Sequence, residues 1–151
     1  MYFILPAGYL GSSLFGMLFV VCSARALAAQ IMSGVLSGAL LLVGIVFADN
    51  CLLRELCLFY AVCIAGAWAV QIKTEVALLQ YFLLFTGVMN GFFAIYDIYD
   101  DLIARTHHQS DAKLFAELTK TSSKCWGVIW FFLSLIFMAI GIFGNLKLSE
   151  V

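Results

Sequence analysis

Apolar residues run along the chain in blocks of about twenty, the length of a helix that crosses a hydrocarbon layer of roughly 30 Å, and short polar joints separate them. The first block, about Pro6 to Ser23, carries Gly8, Gly11 and Gly16 and is the least regular, so a re-entrant or broken start is expected there. Arg25 and Gln30 interrupt the run before a second block, about Ile31 to Ala48, which ends at the turn-forming pair Asp49-Asn50. Arg54-Glu55 marks the next joint, followed by a short block from Leu56 to Ile72 closed by Lys73, Thr74 and Glu75. A fourth block from about Val76 to Tyr96 passes straight into Asp97-Ile98-Tyr99-Asp100-Asp101, the densest acidity in the chain.

Residues 97–124 form the one long polar stretch, within which Ser110-Asp111 is suited to cap a short helix bearing Leu114, Phe115 and Leu118 on one face. That pattern predicts an interfacial helix. The final block, about Cys125 to Asn145, opens with Trp126 and Trp130, amphipathic rings that commonly sit at headgroup level. The pattern therefore predicts a single all-α membrane domain over residues 1–151, a bundle of about five transmembrane helices (about 6–23, 31–48, 56–72, 76–96 and 125–145) plus one short interfacial helix.

Composition agrees with a bilayer as solvent. Hydrophobic residues make up 64% of the chain, charged residues 11%, and the mean hydropathy is +1.06. Soluble domains sit near ~45–50% apolar and ~25% charged, so a water-soluble fold would leave much of this apolar surface exposed. The net charge of -1, with both signs confined to the joints, offers no basic patch for nucleic acid. The expected surroundings are lipid and other membrane helices. Met1 to Leu10 lack a basic leader, so no cleavable secretory signal is read there. Cys22, Cys51, Cys57, Cys63 and Cys125 contain no C-x-x-C pair, which points to neither a disulfide framework nor a thiolate zinc site.

With five spans, the N-terminus, the second joint and the long polar stretch share one side of the membrane. That side holds Arg54, Arg105, Lys113, Lys120 and Lys124, against Arg25, Lys73 and Lys147 on the other. The excess of Lys and Arg predicts a cytoplasmic N-terminus for a multi-pass integral membrane protein.

Candidate chemistry gathers on the fourth block. At the helical period of ~3.6 residues, Gly87, Asn90, Ala94, Asp97 and Asp101 fall within roughly 80° of one another. Polar groups inside lipid are costly and normally face a bundle interior, a cavity or a partner, so this stripe is expected to point inward. Three aspartates at a helix C-terminus also oppose the macrodipole, which suggests a cation nearby; a solvated acidic joint paired with Arg54 or Arg105 is the simpler reading. Gly34-x-x-x-Gly38 and Gly87-x-x-x-Gly91 match the small-residue spacing that lets helices approach closely, inside this chain in the simpler reading. His107 and His108 are the only histidines, and their adjacency fits a solvated loop better than a metal site.

Two stretches carry a family resemblance. Leu5-Pro6-Ala7-Gly8-Tyr9-Leu10-Gly11-Ser12-Ser13 resembles the segment after the zinc-binding helix of the peptidase M50B-like family, relatives of the site-2 proteases. Tyr96-Asp97-Ile98-Tyr99-Asp100-Asp101-Leu102-Ile103, with Ser110-Asp111-Ala112 and Phe115-Ala116-Glu117 after it, resembles that family's later acidic motif. The resemblance implies an intramembrane zinc metallopeptidase in which an H-E-x-x-H helix supplies two histidines and a glutamate base, and a later aspartate completes the metal site. Asp97 matches that aspartate by position, with Asp100 and Asp101 as substitutes or supporting partners.

The sequence has no H-E-x-x-H. It is thus expected to be a fragment of a longer protein or a pseudoenzyme, inactive alone and without a cofactor, with zinc only if a further N-terminal segment supplies the motif. Two readings from other classes remain: a small transporter or channel element with Asn90, Asp97 and Asp101 along an ion path, and a structural subunit that docks through its glycine faces.

Overall fold

A computed structural model of the chain describes residues 4–74, 76–100 and 122–150. Within them five helices follow one another: α1 (Ile4–Ser23), α2 (Ala26–Leu42) continuing into a π-helical segment Val43–Phe47, α3 (Cys51–Thr74), α4 (Leu78–Tyr99) and α5 (Ser123–Ser149). Four stretches are long and apolar enough to cross a membrane: Ala26–Phe47, Cys51–Thr74, Leu78–Tyr99 and Lys124–Ser149. The remaining helix, α1, has 20 residues, of which Leu10–Ser23 is a shorter apolar stretch. The all-α membrane bundle expected from the apolar blocks is the observed architecture. The expected interfacial helix, with Ser110, Asp111 and Leu114, and both histidines, lie outside the described residues.

Most helix ends run past the apolar blocks. α2 begins at Ala26 rather than near Ile31, α3 begins at Cys51 and runs through Arg54 and Glu55, and α4 carries Asp97 inside its last turns. The physical reason is that a helix need not stop where the hydrocarbon does. Exposed polar side chains such as Arg54 and Glu55 reach outward from a continuing helix while its backbone groups stay paired. α1 is likewise one unbroken helix over Ile4–Ser23 despite three glycines.

The joints use local chemistry. Arg25 sits in extended backbone as the residue before α2, and its carbonyl accepts from the Ala29 amide at 2.9 Å. Asn50 starts α3: its carbonyl accepts from the Arg54 amide at 3.1 Å and its Oδ1 from the Leu52 amide at 3.3 Å, the role expected of an asparagine before a helix.

α1 is the hub. It packs most extensively on α4, then on α5, and more lightly on α2. Contacts pair Ser12 with Asn90 and Ser23 with Gln80, so α1 and α4 are antiparallel. Pairing of Ser13 with Ser134 and of Val20 with Asn145 makes α1 and α5 parallel. The start of α1, the α2–α3 joint, the end of α4 and the start of α5 therefore share one end of the bundle.

Large apolar side chains cover the outside: Phe15, Ile31, Phe59, Ile72, Phe85, Phe132 and Phe143 are all exposed, as lipid-facing positions are. The inside mixes small and larger apolar side chains. Ala29, Ser33, Ile64, Leu79 and Leu83 are fully buried. Ser33 Oγ is buried without a hydrogen-bond partner among the described residues. Trp130 is 3% exposed and so packs inside the bundle, while Trp126, 6.4 Å from it between ring centroids, is half-buried.

Candidate functional site

Of the two stretches that resemble one family, the first lies at the start of α1 and the described part of the second, Tyr96 to Asp100, at the end of α4, on an antiparallel pair of helices. Antiparallel packing brings them to the same end of the bundle.

What lets the pair approach so closely is glycine. A Cβ added at Gly16 would lie 2.9 Å from the Gly87 carbonyl oxygen and 2.9 Å from the Gly91 nitrogen; one added at Gly87 would lie 2.9 Å from the Gly16 oxygen. Both contacts are backbone against backbone. Gly91 also faces Met138 of α5, 3.0 Å from where its Cβ would be. Gly34 seats the Trp68 ring at 3.6 Å, whereas Gly38 has open space. Of the four glycines singled out by spacing, three are thus used for packing inside this chain, and Gly16, which matches neither pair, is packed as closely as Gly87.

The acidic stripe of α4 divides. Gly87, Gly91, Ala94 and Ile98 are buried against the bundle. Asn90 is half-buried, and its Nδ2 donates to the Ser12 carbonyl at 3.0 Å. Asp97 is exposed, Asp100 is half-buried, and Asp101 lies outside the described residues. Asp97 and Arg54 form no ion pair among the described residues; both are exposed.

Asn90 borders a cleft of about 680 Å³ between α1 and α4 on one side and the α2–α3 hairpin on the other. Its walls are largely apolar, including Phe15, Phe93, Val35 and Tyr60, with Ser12, Thr86 and Asn90 as the polar positions. The Thr86 hydroxyl donates to the Phe82 carbonyl at 2.9 Å and the Ser12 hydroxyl to the Gly8 carbonyl at 2.8 Å, which leaves the Asn90 carboxamide and the Tyr60 hydroxyl as side-chain groups with hydrogen-bonding capacity to spare. Asp97 lies two turns further along the same face of α4, ~10 Å beyond Asn90 along the axis. Cleft and carboxylate thus belong to one side of one helix.

Zinc needs about three protein donors, with nitrogen or sulfur prominent among them. Among the described residues no three His, Cys, Asp or Glu side chains are grouped so as to hold a metal ion. The five free cysteines are dispersed, with Cys57 buried and Cys51 and Cys125 exposed. Asp97 and Asp100 are carboxylates only, so these residues do not fit a zinc site.

Several interior contacts escaped the reading of the sequence. Ser13 Oγ donates to Ser134 Oγ at 2.7 Å in the buried α1–α5 interface. Asn145 Nδ2 donates to the Val20 carbonyl at 2.7 Å and to Ser23 Oγ at 2.9 Å, and Gln80 Nε2 donates to the Ser23 carbonyl at 2.9 Å. The usable signal was the presence of single amides and hydroxyls inside otherwise apolar blocks, since such groups seek partners in lipid.

No curated protein and no solved structure matches the chain. A family model, that of Peptidase M50B-like proteins, matches residues 1–141. With the two motif-bearing stretches brought to one end of a helical membrane bundle and that match covering nearly its whole length, the chain belongs to the Peptidase M50B-like family.

Proposed function

We propose that this chain forms the acid-bearing part of an M50B-like intramembrane site and does not bind zinc or hydrolyse peptides by itself. The observation that carries the reading is the meeting of the start of α1 with the end of α4, where Asp97 stands. In the family arrangement that the resemblance implies, the H-E-x-x-H helix precedes α1, so its histidines would approach from this same end. By the resemblance, Asp97 is the residue that would join them, with Asp100 and Asp101 as alternatives or supporting partners.

Two forms of the proposal differ in where the histidines come from. An in-frame H-E-x-x-H a few tens of residues upstream of Pro6 makes the chain part of a truncated intramembrane protease. An upstream frame without it makes the chain a pseudoenzyme whose cleft retains the capacity to hold membrane segments. For residues 1 to 151 purified alone, metal analysis is expected to find no stoichiometric zinc, because the acidic cluster at Asp97 offers carboxylates alone. One tightly bound zinc per chain would overturn the reading.

Orientation belongs to the same proposal, with the end that carries the start of α1 facing the cytoplasm. The native thiols Cys51 and Cys125 are exposed and both lie at that end. A membrane-impermeant maleimide is expected to label both from the cytoplasmic face and neither from the other. Labelling of the two from opposite faces would remove the five-span arrangement.

A further inference from the structure

The bundle is held together by two different kinds of contact. α1, α4 and α5 are tied by hydrogen bonds between helices, Ser13 to Ser134, Asn90 to Ser12, Gln80 to Ser23 and Asn145 to Val20, and by the glycine contacts at Gly16, Gly87 and Gly91. The α2–α3 hairpin has little of this. Among the described residues one hydrogen bond joins its side chains to the other three helices, from the Leu79 amide to Gln71 Oε1 at 3.0 Å, and it lies at the α3–α4 joint.

Apolar contacts between the two parts are concentrated at that same end. One cluster joins Phe19 and Leu83 to Ala29, and the other joins Leu79 to Ile64 and Ala67. Further toward the opposite end lies the cleft, with Phe15, Asn90 and Phe93 on one wall and Val35 and Ala39 on the other. The hairpin itself is packed along its length, with Trp68 over Gly34 and Cys57 against Gly44, where an added Cβ would come within 3.0 Å.

Inside a bilayer, exchanging apolar helix contacts for lipid tails brings little net driving force, whereas hydrogen bonds and close backbone packing fix a geometry. We infer that the α2–α3 hairpin moves as one body about the end holding Gln71 and Leu79, widening and narrowing the cleft beside Asn90 while α1, α4 and α5 stay fixed. The inference rests on packing alone; if the hinge fails, the metal-site reading above stands, and the converse also holds.

Spin-label distances in lipid nanodiscs test it. In a background with the five native cysteines replaced, one labelled pair joins hairpin to trio near the cleft mouth, Leu56→Cys with Phe132→Cys, and a second joins them near the hinge, Ile72→Cys with Phe143→Cys. All four positions are exposed, so the labels displace no core contact. Samples are those whose melting matches that of the unlabelled chain. The mouth pair is expected to show a distribution broader than that of the hinge pair by at least about 5 Å, the scale of a collective hinge motion. Equally narrow distributions, or equal breadth at both ends, would overturn the hinge.

Discussion

Gly16→Ala and Gly87→Ala are each expected to destabilise the bundle by about 1–3 kcal/mol, the usual range for forcing an extra methyl into packed structure. The added carbon meets backbone in both cases: the Gly87 oxygen and Gly91 nitrogen at 2.9 Å from Gly16, and the Gly16 oxygen and Val20 nitrogen at 2.9 Å from Gly87. A side chain at such a contact can rotate aside, but a helical backbone cannot, so α1 and α4 must separate. Separation also lengthens the Asn90 hydrogen bond to the Ser12 carbonyl, which adds to the loss. Reversible unfolding in mixed micelles reads the effect. Gly38→Ala is the internal control, because nothing lies within 4 Å of the added carbon there and alanine favours a helix over glycine. It is expected to leave stability unchanged or raise it slightly. In the Gly16→Ala/Gly87→Ala double variant the losses should fall short of their sum, because the first substitution has already moved the helices apart. Full additivity, or a Gly38→Ala penalty as large as the others, would contradict this account of the α1–α4 contact.

The second large effect is expected at Asn145. Its Nδ2 donates to both the Val20 carbonyl and Ser23 Oγ, where the last turn of α1 meets α5. Hydrogen bonds between membrane helices contribute on average ~0.6 kcal/mol and up to ~1.7 kcal/mol each, so Asn145→Ala should cost roughly 1–2 kcal/mol. Asn145→Asp keeps the shape but lacks the donor, and placing a carboxylate against a carbonyl oxygen should make it at least as damaging as alanine. The ordering of melting temperatures is the measurement: native chain highest, then Asn145→Ala, with Asn145→Asp no better. An aspartate variant as stable as the native chain would mean that the amide donor does not matter.

Much of the fold was legible because the bilayer imposes one length and one chemistry. Blocks of about twenty apolar residues have to be helices in lipid, and the joints at Asp49-Asn50 and Lys73-Thr74-Glu75 marked the turns to within a few residues. The ends were less legible, since a helix continues past the hydrocarbon edge without a change in hydropathy, as α3 does from Cys51 through Arg54. On α4 the reading captured a small, polar face but not its division. Gly87, Ala94 and Ile98 are buried, while Asp97, ~80° round the helix from Gly87 at the far edge of the stripe, is exposed, because the neighbouring helices cover only part of that face. Gly16 and Ser13 were unreadable for a related reason: which glycine or serine meets another helix depends on the relative rotation and height of two helices far apart in sequence.

The parallel packing of the first and last helices has a consequence for how the protein is made. Ser13, Val20 and Ser23 of α1 find their partners at Ser134 and Asn145, separated from them by 121 to 125 positions. Synthesis runs from the N-terminus, so α1 enters the membrane while the groups that complete it are still untranslated. The α2–α3 hairpin, delivered in between, supplies none of those partners. Biogenesis is therefore completed backwards: the last helix to be inserted locks the first one in place, and a nascent chain halted before α5 would leave the hub of the bundle exposed to membrane quality control.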